Sequence, residues 1–262
     1  MKLKRFGLLH ENAAPYPEDL RGLSKDSVTY HIGTGEVISH IIAISKKLNC
    51  KSYIIDPTPH VIKHVAKIKS VLDSSVAGNL FHIPYAVGLE NSTEKFYEST
   101  DTEDEPHEWK ASGNFDHSLL PYYLGNPNEF IYVEVKTIES IMNELNHPKI
   151  DLLEIDLGGM REVSECRSRI PECEVMEDLV ARKIFPKYIS VDLDFTFANP
   201  DGVSRAVGDE QTLSLYGTSG SYSNSKKALR NRNLCLKTIN LLEKNNYTAI
   251  HNQAANYTFM RN

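Results

Sequence analysis

The stretch VTYHIGTGEVISHIIAISKKL, residues 28–48, constrains the fold more than any other part of the chain. Val28 to Ile32 is β-branched and aromatic, whereas Val37, Ile38, Ile41, Ile42, Ile44 and Leu48 recur at helical spacing, with Gly33 and Gly35 between the two patterns. The order is therefore strand, glycine turn, helix. It repeats at once: KSYIIDPTP is a short apolar run that ends on Asp56 and is stopped by Pro57 and Pro59, and HVIKHVAKIKSVLDS returns to helical period. A right-handed crossover lays the two strands side by side in parallel, which predicts an open α/β sheet.

The rest of the chain extends that rhythm. NLFHIPYAVG supplies a third strand over about 79–87, and residues 90–130 form an acidic, turn-rich excursion containing the short strand EKFYES. IYVEV, the helix TIESIMNELNH, and the strands IDLLEIDL and KYISVDLDFTF follow. Residues 200–227 are a polar segment without clear period, expected to be a lid-like loop, in which Tyr216, Gly217, Gly220 and Tyr222 could close over a sugar ring. The end is a helix, ALRNRNLCLKTINLLEKN, and two strands joined by only a few residues, so the final strand should be antiparallel. About seven strands with the last reversed, and helices on both faces, is the Rossmann-like sheet of a class I methyltransferase. One domain over residues 1–262 is expected, since 40% hydrophobic residues in a chain of this length supply one large core.

Composition excludes some functions. A net charge of -6 offers no basic field for nucleic acid, which leaves a small molecule or a glycan as the expected partner. No apolar run reaches the roughly 18 residues of a membrane span, and the first one, FGLL, is too short for a signal peptide. The four cysteines show no Cys-x-x-Cys, so neither a zinc knuckle nor a disulfide framework is implied, and a cytoplasmic location is expected.

Gly33 and Gly35 sit where backbone must approach a ligand, and Asp56 follows Gly35 by 21 residues at the end of the second strand, the place for an acid that holds ribose hydroxyls. A dinucleotide site would ask for a third glycine where Ile38 stands, so S-adenosylmethionine, which lacks a pyrophosphate, is the better match. His31 occupies the position of the acid that such enzymes commonly keep near the methionine amino group. It is either a cofactor contact or a strand-end histidine satisfied internally. Glu154 and Asp156 share one strand face, as do Asp192 and Asp194, and carboxylates in such apolar runs need a partner or a cation. Asp156, Asp192 and Asp194 are therefore candidates to act on a hydroxyl or to hold Mg²⁺ or Mn²⁺. His60 and His64 have ligand spacing, but the lysines around them favour a solvated face.

YIIDPTPHVIKHV, AVGLENSTEKFYES, FDHSLL and above all VEVKTIESIMNELNHPKIDLLEIDLGGMREV make the chain resemble the FkbM family of S-adenosylmethionine-dependent O-methyltransferases, over most of residues 28–262. The resemblance implies methyl transfer to a sugar or glycan hydroxyl, with cofactor contacts at His31, Gly33, Thr34, Gly35, Asp56, Pro57 and Ala86. It also implies a catalytic role for Asp156. Two positions depart from the family's Lys-x-Asp-x-Glu-Gly: its lysine is Glu154 here and its glutamate is Gly158. Two other functions stay open on sequence grounds, a metal-dependent glycosyltransferase using Asp192 and Asp194 and a non-catalytic binding module on this fold.

Overall fold

The structure, a computed structural model, describes residues 3–5, 15–17, 20–35, 37–97, 130–157, 161–164, 167–193, 226–253 and 256–262. Fourteen strands and six helices run in the order β1 (Leu3–Arg5), β2 (Pro15–Pro17), β3 (Val28–Ile32), α1 (Ser39–Leu48), β4 (Lys51–Ile55), α2 (Pro59–Val71), α3 (Ser74–Ala77), β5 (Leu80–Ile83), β6 (Ala86–Val87), β7 (Ser92–Tyr97), β8 (Phe130–Lys136), α4 (Ile138–Glu144), β9 (Leu152–Ile155), β10 (Arg161–Ser164), β11 (Arg167–Arg169), α5 (Pro171–Ala181), β12 (Tyr188–Asp192), α6 (Lys226–Lys244), β13 (Tyr247–Gln253) and β14 (Asn256–Arg261).

Seven strands form one sheet in the order β13-β14-β12-β9-β3-β4-β5. β5, β4, β3, β9 and β12 are parallel neighbours, whereas β14 runs antiparallel to both β12 and β13. This is the class I methyltransferase fold, with the last strand inserted backwards beside its predecessor as the short link requires. The chain moves from β3 to β4 on one side and later returns to β9 on the other, so the carboxyl end of β3 lies at the switch point where open α/β sheets bind ligands.

Helices cover both faces. Ile38 and Ile41 of the first helical segment pack with Ile54, Val61, Val65 and Leu80 on one face. On the other, Tyr30, Ile32, Tyr53, Ile55, Leu153 and Ile155 meet residues of α4, α5 and α6 in the largest core cluster. Fully burying a Leu or Ile side chain contributes about 1.5–3 kcal/mol, which makes this two-sided burial the main support of the fold. α4 starts cleanly because Thr137 Oγ1 accepts a hydrogen bond from Ser140 N at 3.1 Å, a cap worth about 1 kcal/mol.

Three features depart from expectation. The strand over 79–87 is broken: β5 ends at Ile83, and β6 joins β8 and β7 in a separate three-stranded sheet. Pro84 falls at the break between the two strands. IYVEV accordingly belongs to that small sheet, paired with β7 antiparallel and β6 parallel. α5 is a helix to which no element was assigned, although Pro171 at its start, Glu172 and Glu174 in its first turn, and Val175, Met176 and Leu179 at helical spacing mark it. Most of the 90–130 excursion and nearly all of the 200–227 segment, with Tyr216, Gly217, Gly220 and Tyr222, lie outside the described residues. No described helix is long and apolar enough to cross a membrane.

Candidate functional site

The two glycines of the turn after β3 do different work. Gly33 has φ +74°, and a Cβ there would lie 1.8 Å from the carbonyl oxygen of Asp156. Its role is to let β3 and the end of β9 close together, and its N–H donates to Ile55 O at 3.2 Å, tying the turn to β4 as well. Gly35 has φ +55°, yet a Cβ there would meet nothing within 4 Å among the described residues. That side of the turn is open, as a surface awaiting close approach by a ligand must be.

The polar atoms around the opening are unspent. Thr34 Oγ1 and Ser39 Oγ are buried and have no hydrogen-bond partner among the described residues. α1 begins after Ile38, which makes no side-chain cap, so the first amides of a ten-residue helix have no capping group. Orphaned hydroxyls and uncapped amides at the carboxyl end of a sheet are what a polar ligand satisfies, and such donors fit the amino-acid end of S-adenosylmethionine.

Asp56 lies just past β4 and is buried. Its Oδ1 accepts from Thr58 N at 2.9 Å and from Thr58 Oγ1 at 2.5 Å, so one carboxylate oxygen shapes the approach to α2. Oδ2 makes no hydrogen bond among the described residues. Pro57 is half-buried in the same turn. Ala86 is buried in the small sheet, where it packs with Phe96, Val133 and Val135.

His31 is fully buried, and both ring nitrogens are engaged. Nδ1 lies 2.5 Å from Glu154 Oε2, and Nε2 lies 3.0 Å from Thr29 Oγ1, which is itself 3.0 Å from Ser52 Oγ. Of the two alternatives for this residue, the structure gives the internally satisfied one, with side chains rather than backbone as partners. The ring leaves no nitrogen for a cofactor. His31 and Glu154 are direct cross-strand partners in the β3–β9 register. Two of the three places where the chain departs from the expected pattern, a histidine for an acid and a glutamate for a lysine, thus form one pair with its polarity exchanged.

A third member was missed on sequence grounds. His40 of α1 is buried, and its Nε2 lies 2.9 Å from the same Glu154 Oε2. The signal was present: His40 falls three residues after Val37 and four before Ile44, on the buried stripe of the helix. Burial pushes the Glu154 carboxyl up, but the charge of His40 and the hydrogen bonds from both imidazoles outweigh it and hold the group well below the ordinary carboxylate range. Burial is also the main influence on His31 and moves its imidazole below the usual histidine range, despite the glutamate beside it.

The expected crowding of four acids around Mg²⁺ or Mn²⁺ is therefore corrected in its central member. Glu154 is neutralised from within by two imidazoles. Asp156 is exposed just after β9, with its N–H donating to Ile32 O at 3.0 Å. Asp192 closes β12, whose Cα register pairs it with Asn256; its side chain and the whole of Asp194 lie outside the described residues. Among the described residues, the one group able to hold a metal is His31, His40 and Glu154, not a set containing Asp156. Beside Asp156, the N–H of Leu157 donates at 3.0 Å to Oε1 of Glu172, a buried carboxylate from the first turn of α5 that fixes how the chain leaves β9.

No family model matches the chain, and no curated protein sequence matches it. Among solved structures it is loosely similar to precorrin-6y C5,15-methyltransferase of Geobacter metallireducens, at 12% identity and a TM-score of 0.41 over 93% of this chain and 85% of that one. It is likewise similar to the fibrillarin pre-rRNA processing protein of Methanococcus jannaschii, at 10% identity and a TM-score of 0.40 over 91% of this chain and 68% of that one. The resemblance to the FkbM family rests on the quoted residues alone, and the fold assignment rests on the strand order and the reversed last strand.

Proposed function

We propose that this chain is an S-adenosylmethionine-dependent O-methyltransferase acting on a hydroxyl of a sugar or glycan. The observation that carries the cofactor half is the open side of Gly35, with the unpartnered Thr34 Oγ1 and Ser39 Oγ around it at the switch point of a class I sheet. The acceptor half is supported by the quoted resemblance. S-adenosylmethionine supplies an activated methyl group on a sulfonium. The turn amides and Thr34 hold its amino-acid end, and Asp56 Oδ2 accepts from the ribose hydroxyls while Oδ1 stays on Thr58. Pro57 stiffens that turn. Asp156, exposed just after β9, accepts the proton of the acceptor hydroxyl, and Asp192 and Asp194 orient the acceptor.

Titration calorimetry with S-adenosylhomocysteine, and separately with a nucleotide sugar, tests this reading. Binding of the first and not the second is expected. Asp56→Ala should weaken S-adenosylhomocysteine by roughly 2 kcal/mol, the scale of charge-assisted ribose hydrogen bonds. Gly35→Val should abolish binding in a protein with an unchanged circular dichroism spectrum. Unchanged affinity in both folded variants overturns the cofactor site. Binding without turnover on any sugar of a broad panel overturns the acceptor.

A further inference from the structure

Three ionisable side chains from three elements converge at one buried point, and none of the functional steps above uses them. His31 Nδ1 comes from β3, Glu154 from β9 and His40 Nε2 from α1, with all three donor atoms within 4.8 Å of one another. Their relative exposures are 0%, 6% and 3%. No lysine or arginine pairs with Glu154 among the described residues; its ion-pair partners are the two imidazoles. A buried carboxylate demands compensating positive charge.

We propose that His31 Nδ1, His40 Nε2 and Glu154 together hold a divalent transition-metal ion, zinc by the character of the donor set, between the sheet and α1. Two imidazole nitrogens and one carboxylate suit zinc and its borderline neighbours, whereas Mg²⁺ and Ca²⁺ take oxygen ligands. The surroundings fit as well. A metal-bound histidine fixes its tautomer by donating its other ring N–H, and His31 Nε2 has Thr29 Oγ1 at 3.0 Å, with the threonine hydroxyl passing its own proton to Ser52 Oγ. The donor atoms now stand 2.5 and 2.9 Å apart, in hydrogen-bond contact through Glu154 Oε2. A tetrahedral ion with arms of about 2.0–2.1 Å needs them about 3.3 Å apart, so binding replaces these hydrogen bonds and widens the cluster. A water completes the shell of the ion. The ion pins the start of α1 to β3 and β9, and so holds the glycine turn from beneath. It lies between the sheet and α1, and does not depend on the methyl-transfer reading.

The test uses tag-free protein stripped with chelator and titrated with Zn²⁺ by calorimetry, with metal content read by mass spectrometry after dialysis. One equivalent is expected, together with a rise in Tm. Glu154→Gln and His40→Gln should lose it, whereas His64→Gln on α2 should keep it. No binding by the wild type overturns the proposal, as does binding that survives in folded Glu154→Gln and His40→Gln proteins or disappears in His64→Gln. Should the cluster variants fail to fold, Co²⁺ in the wild type decides. A tetrahedral spectrum without thiolate charge transfer supports the site, and a thiolate band, placing the ion on a cysteine, overturns it.

Discussion

Strands β3 and β9 present two faces, both buried and chemically opposite. One carries Tyr30, Ile32, Leu153 and Ile155 into the main core. The other carries Thr29, His31 and Glu154 beneath α1, and these are buried as well. Alternation of apolar and polar residues in a strand usually means one face in water. In a central strand covered on both sides it means instead that the polar residues satisfy one another. The apolar face tolerates the loss of a methylene in proportion to the volume lost. The polar face holds only while every partner is present, since removing one leaves a buried charge or donor unmet.

The most direct way to break that contrast is to truncate one residue from each face. Glu154→Ala should destabilise the fold by about 3–5 kcal/mol in urea denaturation, because it strands two buried imidazoles. Leu153→Ala, its neighbour on the opposite face, should cost about 2–5 kcal/mol by transfer and cavity alone. If Glu154→Leu restored full stability, the polar face would be a replaceable filler and the contrast would fail.

A pH series sharpens the same comparison. His31 sits below its ordinary value of 6.5, so below that pH the unfolded chain binds a proton the folded chain refuses, and stability falls. Glu154 is also depressed, from an ordinary 4.5; its contribution is present above that value and is lost as pH falls through the folded one. Wild-type stability should therefore decline on acidification from neutral, in two windows. Leu153→Ala should show the same slope from a lower starting point, whereas Glu154→Gln should lose the lower window. Parallel curves for all three proteins would dissociate the polar face from the acid sensitivity.

The smallest effect concerns a polar contact on the apolar face. Tyr30 Oη lies 2.8 Å from His147 Nδ1, and His147 Nε2 lies 3.1 Å from Tyr53 Oη. His147 is only half-buried, so water can replace a lost partner. Tyr30→Phe should cost about 1 kcal/mol, measured by the same denaturation curves. A loss as large as that of Glu154→Ala would mean that this face too depends on a complete polar network.

Much of this was legible in the chain. The strand–turn–helix spacing of residues 28–48 and its repeat fixed β3, α1, β4 and α2, and the short link before the last strand required its reversal. Gly33, Gly35 and Asp56 fall on adjacent strand ends as their spacing implies. Less legible were events that depend on one residue against a strong local pattern. Pro84 divides an apolar run that otherwise reads as a single strand, and His40 is a polar residue on a stripe read for its isoleucines.

The sequence by itself determined β3, α1, β4, α2 and the reversed last strand, because periodicity and link length act along the chain and are written there. Only the tertiary structure decided what the polar residues of those elements do. Gly33 is needed because Asp156, more than a hundred residues later, brings its carbonyl against the turn, and Gly35 is needed for space that stays open. Glu154, by sequence one of four crowded acids, became the shared partner of His31 and His40 once β9 paired with β3 and α1 closed over both. Charge compensation at distances of 2.5 to 2.9 Å is set by strand register and helix docking, and neither is a property of any segment read alone.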